Sequence, residues 1–377
     1  MARRKILFLI AEDWYFWSHR LELARRARDD GYEVVIATHV ERLGERIRSE
    51  GFRLVPLALR RASYNPVREA WTLLQLVRIY RRERPDLAHH VALKPILYGS
   101  MAAMTVRGCR VVNAIAGLGH LSTSEKRRTA RLRSAIWAMF RGLFRNRNTV
   151  VLVQNEDDRR TVEQAMRVRE SRVRKIAGTG VDLEWYRPLP ARGGIPIVML
   201  PSRILWNKGI REFVEAASEL KSRGIKARFV LVGRTDRGSP AAVPVAQLTQ
   251  WAEEGHIEWW GHQEDMRDTL QQAAVVCLPS YREGFPRVLM EAAACGRPLV
   301  ATDVPGCNSV VRDGVNGILV PPRSAEALVE AIETLLTRPV LREAMGASSR
   351  ELAEREFGVE RLAGETLELY REMLSAS

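Results

Sequence analysis

Short apolar runs recur along the chain, and each is followed by a segment with the period of an amphipathic helix. The first pairs are KILFLIA with HRLELARRARDDG, and YEVVIATH with RLGERIRSEG. Apolar runs without polar alternation are typical of strands buried on both faces, so the pattern predicts a parallel sheet covered by helices. The same rhythm continues through PDLAHHV, CRVVNAIAG and NTVVLVQN.

Residues 178–196 interrupt this rhythm, because they are rich in Gly and Pro and show neither a helical nor a strand period. Beyond them the alternation begins again with IVMLPSR, ARFVLVGR, HIEWWGH, AVVCLPS and RPLVATDVPG. We therefore predict an α/β protein of two doubly wound, Rossmann-like domains that face each other across a cleft. The predicted boundaries are 1–185, 186–358, and a C-terminal helix over 359–377 that packs back toward the first domain.

The net charge of +14 is unevenly distributed over the 377 residues. Residues 1–190 carry 37 Lys and Arg against 20 Asp and Glu, whereas residues 191–377 carry 22 against 25. A basic first half favours phosphate-bearing partners such as nucleic acid, anionic lipid or a diphosphate-linked substrate. An arginine-rich proteome is the ordinary alternative.

Cysteine spacing and hydropathy indicate in which cellular compartment the protein is expected to work. The four cysteines show no Cys-x-x-Cys spacing, so neither a zinc site nor a disulfide framework is indicated, and a reducing cytoplasm fits best. The apolar run at residues 6–11 ends in two acidic residues and is too short for a signal peptide. No stretch approaches a membrane span, so any membrane contact is expected to be peripheral.

The segment YREGFPRVLME places two glutamates eight positions apart, at the end of an apolar strand. Glu283 lies in the loop, and Glu291 lies inside a helix that is predicted to begin near Arg287. Gly284 allows a ligand to approach the backbone, and Pro286 suits the first helical turn, whose free N–H groups attract a diphosphate. The carboxylates would then bind the sugar and the ribose of one extended ligand. Incidental acids on an exposed helix are the alternative.

The segment SRILWNKGI follows the first strand of the second domain and brings two cations to the same row of loops. Arg203 lies at the strand end and Lys208 at the helix start. Two cations there could neutralise the phosphates of a leaving nucleotide in place of a metal ion. By itself Arg-x4-Lys is a weak signal. It is less expected by chance that loops of one row together offer two cations, an amide-rich turn and two carboxylates.

These segments, with ACGRPLVATDVPG and RDGVNGILVPP, resemble the family 4 glycosyltransferases over essentially the whole chain. The resemblance implies the GT-B fold and retention of anomeric configuration. It implies that Glu283 contacts the donor sugar and Glu291 the ribose, and that Glu283, Arg203 and Lys208 are catalytic. The implied donor-binding residues are Arg203, Lys208, Gly261, His262, Gln263, Glu283, Gly284, Phe285, Pro286, Arg287, Val288 and Glu291.

The first half resembles the branch that acts on undecaprenyl-diphosphate-linked saccharides, through DWYFWSHRLELARRARDDGYEVVIAT and VNAIAGLGH. Many members carry a histidine where this chain has Ala116, and His120, four residues on, could serve the sugar or the acceptor. Topology places further polar residues at the predicted cleft. The candidate acceptor-binding residues are His19, Arg20, Lys94 and His120. Of the adjacent His89 and His90, at most one can face the cleft, because neighbouring strand residues point to opposite faces.

Two segments of the basic half are candidates for membrane contact. The loop at residues 13–20 carries four aromatics, which suits an interfacial anchor, an acceptor platform or simple domain packing. Residues 125–148 place six apolar residues at helical spacing among arginines, as in a helix lying in a membrane interface. An ordinary core helix with a basic outer face is the alternative.

The sequence therefore predicts a retaining, metal-independent glycosyltransferase without a cofactor. It would move a hexose or N-acetylhexosamine from a UDP-sugar to a polyprenyl-diphosphate-linked saccharide, at the inner face of the cell membrane, with an anionic membrane surface as partner. Alternatives are a different sugar acceptor, a GT-B sugar-nucleotide epimerase, or a basic nucleic-acid-binding or scaffold protein. Because the second half is nearly neutral and no nucleic-acid-recognition motif occurs, no nucleic-acid partner is expected.

Overall fold

The computed structural model describes residues 3–59, 65–117, 127–189, 193–236 and 238–375, and it describes the backbone alone over 127–133. The chain forms two compact units. The first comprises Met1–Thr179 with Arg361–Ser377, and the second comprises Gly180–Glu360. In the described part of the chain, no helix has the length and apolar character needed to cross a membrane.

The first unit is built on a parallel sheet that, over the described residues, has seven strands in the order β3-β2-β1-β4-β5-β6-β7. Its strands are β1 (Lys5–Glu12), β2 (Glu33–His39), β3 (Arg53–Pro56), β4 (Leu87–Val91), β5 (Arg110–Ala114), β6 (Thr149–Val153) and β7 (Val173–Lys175). The strand order reverses between β1 and β4, where Phe8 pairs with His89. This reversal is the topological switch point at which doubly wound sheets bind ligands.

Helices cover both faces of this sheet. They are α1 (Asp13–His19), α2 (Leu21–Asp29), α3 (Gly44–Ser49), α4 (Pro66–Glu83), α5 (Leu93–Ala103), α6 (Arg127–Leu143), α7 (Glu156–Gln164) and, from the chain's end, α14 (Val359–Ser375). Consecutive residues of β1 point to opposite faces of the sheet and pack in two separate hydrophobic clusters. Phe8 packs in a cluster with Phe16 of α1 and Tyr370 of α14, whereas Leu7 packs with Tyr80 of α4.

The second unit repeats this topology with six parallel strands among its described residues, in the order β10-β9-β8-β11-β12-β13. The strands are β8 (Ile197–Pro201), β9 (Arg228–Val232), β10 (Glu258–Trp259), β11 (Val275–Leu278), β12 (Leu299–Thr302) and β13 (Gly317–Val320). The helices are α8 (Ile210–Ser222), α9 (Val245–Glu253), α10 (Met266–Leu270), α11 (Arg287–Ala294), α12 (Ala325–Thr337) and α13 (Pro339–Glu356).

The two doubly wound sheets confirm the predicted α/β class. Some local predictions were wrong. The aromatic segment that was expected to be a loop forms helix α1, so His19 ends that helix and Arg20 links it to α2. The short strands β7 and β13 were not predicted, because three or four residues are too few to show a pattern.

Candidate functional site

The candidate donor site lies at one edge of the second sheet. Because its strands are parallel, the loops that follow β8, β9, β10, β11 and β12 all begin at the carboxyl edge. Arg203 comes two residues after β8 and is exposed. Its Nη1 atom lies 3.2 Å from Oδ2 of Asp236, in the loop after β9, so this ion pair joins two neighbouring loops.

Lys208 and Glu283 form the central ion pair of this edge. Lys208 ends a 3-10 turn that leads into α8, and its Nζ atom donates a hydrogen bond to Oε1 of Glu283. Both side chains are largely shielded from solvent, at 14% and 13% exposure, which strengthens their attraction relative to a surface pair. Gly209 follows with φ +72°, and a Cβ atom there would collide with the carbonyl of Pro279 after β11.

The loop that carries Glu283 rests on the loop after β12. The Glu283 backbone N–H donates to the carbonyl oxygen of Pro305 at 3.2 Å. Gly306 has φ +87°, and a Cβ atom there would lie 2.7 Å from the Gly284 carbonyl oxygen. Both conditions require glycine, since side chains rarely adopt this conformation and the space is filled. The backbone of the candidate sugar-binding loop is thus held by close contact with its neighbour.

Helix α11 begins immediately after this loop. Pro286 is its buried N-terminal cap residue, and the first turn contains no acidic residue, so its free N–H groups are available to an anion. Phe285 packs edge-on against Phe357, with ring centroids 5.9 Å apart. Val288 is partly buried against the same core, which anchors the helix start beneath the loop.

Glu291 is buried and has its own partners within the described structure. It accepts hydrogen bonds from Arg287 Nε at 2.7 Å and from the Tyr186 hydroxyl at 3.0 Å. Burial, together with the charge of Glu291, raises the pKa of Tyr186 far above its ordinary value, so the hydroxyl stays protonated and donates. The carboxylates of Glu291 and Glu283 therefore sit in different polar networks.

The segment after β10 completes this row of loops. The Gly261 carbonyl oxygen accepts a hydrogen bond from the Gly233 N–H at 2.7 Å, which ties it to the loop after β9. His262 is exposed, and Gln263 Nε2 donates to the Trp260 carbonyl oxygen at 2.8 Å.

Thiols and metal-binding groups contribute little to this edge. All four cysteines are buried and free. Burial, reinforced by the Glu283 carboxylate, raises the pKa of the Cys307 thiol well above its ordinary value, so it stays neutral. Over the residues that the structure describes, no three His, Cys, Asp or Glu side chains cluster in a way that could hold a metal ion.

The candidate acceptor residues lie in the first unit, around the switch point. The His19 ring stacks on Tyr15 with centroids 4.2 Å apart, and its Nδ1 atom lies 2.6 Å from the Ser18 hydroxyl. Lys94, at the start of α5, forms an ion pair with Glu69 at 2.8 Å. Arg20 is 4% exposed. His120 lies outside the described residues.

His89 and His90 are both fully buried, on opposite faces of β4. The His89 Nδ1 atom lies 2.5 Å from the Tyr370 hydroxyl. His90 contacts the Tyr80 hydroxyl at 2.7 Å and Asn113 at 2.8 Å. Burial lowers the pKa of His90 to about 4, and burial followed by the charge of Arg20 lowers that of His89 strongly.

Helix α6 corresponds to the core-helix alternative where its side chains are described. Phe140 and Phe144, which were predicted to face a membrane, are buried together with Trp137 and pack with Ile96 of α5 and Val151 of β6. Met139 is 40% exposed. The apolar face of this helix is thus largely used by the protein's own core.

Residues that sequence reasoning missed support the predicted ones. Tyr186 lies in the Gly- and Pro-rich break, 105 residues before its partner Glu291, so no local pattern could reveal it. Asp236 likewise pairs with Arg203 across 33 positions. Gly209 and Gly306 do carry a signal, because each lies within a segment that was singled out.

Two family models match this chain. The model "Glycosyl transferase 4-like" matches residues 5–155, and "Glycosyl transferases group 1" matches residues 195–338, so together they span most of the chain. The chain belongs to the group 1, family 4-like glycosyltransferases. The predicted family is therefore confirmed.

The glycosyltransferase has a relative of nearly equal length in Campylobacter jejuni. It is 25% identical, over 351 residues, to the N,N'-diacetylbacillosaminyl-diphospho-undecaprenol alpha-1,3-N-acetylgalactosaminyltransferase. The match covers 90% of this chain and 91% of the relative.

Solved structures identify the fold of the glycosyltransferase. It matches the sucrose-phosphate synthase of Thermosynechococcus elongatus with a TM-score of 0.82 and 22% identity, over 100% of both chains. It matches Anabaena HepE in complex with UDP and glucose with a TM-score of 0.80 and 18% identity, over 98% of this chain and 100% of the other. These matches confirm the predicted GT-B fold.

Proposed function

We propose that this glycosyltransferase moves a hexose or N-acetylhexosamine from a UDP-sugar to a polyprenyl-diphosphate-linked saccharide, with retention of configuration. The observation that carries the donor half is the shielded Lys208–Glu283 pair beside Arg203 and the start of α11. This arrangement offers cations and free amides to a diphosphate and a carboxylate to sugar hydroxyls. The acceptor half rests on the name of the Campylobacter relative and on the basic first half of the chain.

In the proposed reaction the donor diphosphate is the leaving group. Lys208 and Arg203 neutralise the charge that grows on it, and the α11 amides stabilise the same oxygens. Glu283 holds the sugar hydroxyls, and Glu291 holds the ribose. The acceptor hydroxyl attacks the anomeric carbon from the face that the diphosphate leaves, and the leaving phosphate takes its proton. His19 and Lys94 contact the acceptor.

The test is UDP release from a panel of UDP-sugars, with and without a polyprenyl-diphosphate-linked saccharide. We expect UDP release that depends on the acceptor, and loss of at least about 100-fold in kcat/KM for Glu283→Ala, since its interactions are made at the reacting sugar. The matched control is Glu264→Ala, an exposed glutamate on the neighbouring loop, which should stay active. Release without acceptor would favour an epimerase or hydrolase instead.

Metal independence is tested in the same assay. We expect EDTA to leave transfer largely intact, because Arg203 and Lys208 are proposed to do the work of a divalent cation. Loss of all transfer in EDTA, restored by added Mg²⁺ or Mn²⁺, would contradict the metal-free mechanism.

We also propose peripheral binding to the anionic inner face of the cell membrane, through α4 rather than α6. Val67, Trp71 and Leu74 share one face of α4 and are 76%, 57% and 52% exposed. The Arg78 guanidinium lies 5.7 Å from the Trp71 ring centroid, so cationic and apolar groups are presented together. This combination suits an anionic bilayer interface, as does the excess of Lys and Arg in residues 1–190.

Vesicle sedimentation tests this surface. We expect the protein to pellet with phosphatidylglycerol vesicles at low salt, and Trp71→Ser to weaken that binding. Trp185→Ser is the matched control, because Trp185 is also half exposed but lies in the second unit. Equal vesicle binding by the two variants would exclude this face of α4.

A further inference from the structure

Arg20 of the first unit is a buried cation with an unsatisfied nitrogen atom. Arg20 joins α1 to α2 and is 4% exposed. Its Nε atom is buried without a hydrogen-bond partner, and no ion pair or side-chain hydrogen bond is formed by its guanidinium with any residue that the structure describes. An uncompensated buried charge costs several kcal/mol.

Comparable buried charges elsewhere in the described chain do have partners. Asp13 accepts hydrogen bonds from four backbone N–H groups, and Glu83 pairs with Lys5. Arg297 donates to two carbonyl oxygens and to the side chain of Gln271. Each of these three side chains has partners, whereas Arg20 donates no side-chain hydrogen bond to a residue that the structure describes, so we look for its partner outside the chain.

His89, also in the first unit, has a second buried atom without a hydrogen-bond partner. The His89 Nε2 atom is buried and has no partner, while Nδ1 lies 2.5 Å from the Tyr370 hydroxyl. When that hydroxyl donates to Nδ1, Nε2 carries the proton and is a donor. Arg20 lies close enough to His89 to lower the pKa of its ring, and Tyr370 lies close enough to Arg20 to raise the pKa that burial lowers.

The position of this cluster also favours a ligand. Arg20 follows α1, which begins where β1 ends, and His89 lies in β4, the strand beside β1 at the switch point of the sheet. Doubly wound sheets bind ligands at such a reversal of strand order. A guanidinium and an imidazole N–H together match the acceptor oxygens of a phosphate group, and the Tyr370 hydroxyl, by donating to Nδ1, keeps the proton on Nε2.

We infer that Arg20 and His89, with the His89 tautomer set by Tyr370, form a subsite for a phosphate-class oxyanion in the first unit. We assign this anion to the diphosphate of the lipid-linked acceptor, and this assignment rests on the proposed function. Tyr370 comes from α14, so the end of the chain completes the subsite.

Pyrophosphate binding tests the subsite without any transfer reaction, so its failure is distinguishable from failure of the proposed function. Calorimetry uses an Arg203→Ala/Lys208→Ala background, which removes the candidate donor cations. We expect this protein to bind pyrophosphate, and the further change Arg20→Met to weaken binding at least about tenfold, as loss of a charged hydrogen-bonding partner does. Arg46→Met is the matched control, since Arg46 is exposed in the same unit. Binding that is absent, or equally strong after Arg20→Met, overturns the inference.

Thermal melting separates a ligand-binding arginine from a structural one. In phosphate-free buffer, Arg20→Met should melt no lower than the wild type, because it removes an unpaired buried charge. Arg297→Met should melt lower, because three hydrogen bonds are lost. Pyrophosphate should raise the Tm of the wild type more than that of Arg20→Met. If the Tm of Arg20→Met lies below that of the wild type by the same amount with and without pyrophosphate, Arg20 has a structural role and the inference is overturned.

Tyr370→Phe keeps the inference testable if Arg20→Met does not fold. It keeps the ring and removes the hydroxyl that holds the His89 proton on Nε2, so it should weaken pyrophosphate binding; unchanged affinity speaks against the subsite. Geranylgeranyl diphosphate then distinguishes two sources of the anion. Tighter binding than pyrophosphate supports the lipid acceptor, and equal affinity supports a free phosphate. In the transfer assay, Arg20→Lys should raise the KM of the acceptor and leave that of the UDP-sugar unchanged.

Discussion

A single methyl group at Gly306 tests whether the loop after β12 positions Glu283. In Gly306→Ala the new Cβ would lie 2.7 Å from the Gly284 carbonyl oxygen and 2.8 Å from the Glu283 carbonyl carbon. To restore an ordinary contact of 3.4 Å, the Glu283 loop must move by about 0.7 Å. The alanine must also adopt φ near +87°.

The two costs can be separated with a second glycine. Gly314 has φ +72°, but a Cβ atom there meets nothing within 4 Å, so Gly314→Ala carries the backbone strain alone. That strain is roughly 1–2 kcal/mol for a non-glycine residue in this conformation. Gly306→Ala should lose this amount and a further ~1–3 kcal/mol from overpacking. Urea denaturation measures both values.

Activity should distinguish the two variants more strongly than stability does. A misplacement approaching 1 Å at a reacting centre can cost about 100-fold, so we expect kcat/KM of Gly306→Ala to fall roughly 10- to 100-fold. This loss corresponds to about 1.4–2.7 kcal/mol of transition-state stabilisation. Gly314→Ala should keep near wild-type kcat/KM in UDP release. Equal kcat/KM for Gly306→Ala and Gly314→Ala, measured where both variants are fully folded, would refute the role of this loop contact.

Three further predictions concern buried polar groups and a helix cap. Tyr186→Phe should lower the free energy of unfolding by about 1–2 kcal/mol and raise the KM of the UDP-sugar, because the buried Glu291 carboxylate loses one donor; an unchanged KM would contradict the ribose role. His90 has a folded-state pKa of about 4, below the unfolded value of roughly 6.5, so its neutral form supports stability above pH 6.5 and this support is lost toward pH 4. The loss should amount to roughly 3 kcal/mol, and His90→Gln should flatten the pH dependence of unfolding over that range. Asn65→Ala removes the side-chain cap of α4 and should cost about 1 kcal/mol in urea denaturation, with no change in kcat.

Much of the candidate donor site could be proposed from the sequence because its residues lie in short segments, each with a recognisable local pattern. Strands buried on both faces are apolar throughout, so their ends can be read from the sequence, and in a parallel sheet those ends share one edge. The sequence alone therefore places Arg203, Lys208 and Glu283 at one edge of the second sheet. Gly209 lies in the segment of Arg203 and Lys208, and Gly306 ends the segment ACGRPLVATDVPG. Their close contacts, however, depend on loops that are far apart in sequence.

The sequence by itself determined the fold class, the family and the row of loops that carries the donor-site chemistry, because apolar period, loop position and side-chain type are local properties. Tertiary structure alone decided which polar groups are satisfied. It paired Tyr186 with Glu291, brought Tyr370 of α14 to His89, and left the Nε atom of Arg20 buried without a partner among the described residues. It also turned the apolar face of α6 into core and left that of α4 exposed, since burial depends on what packs against a helix and not on its own period.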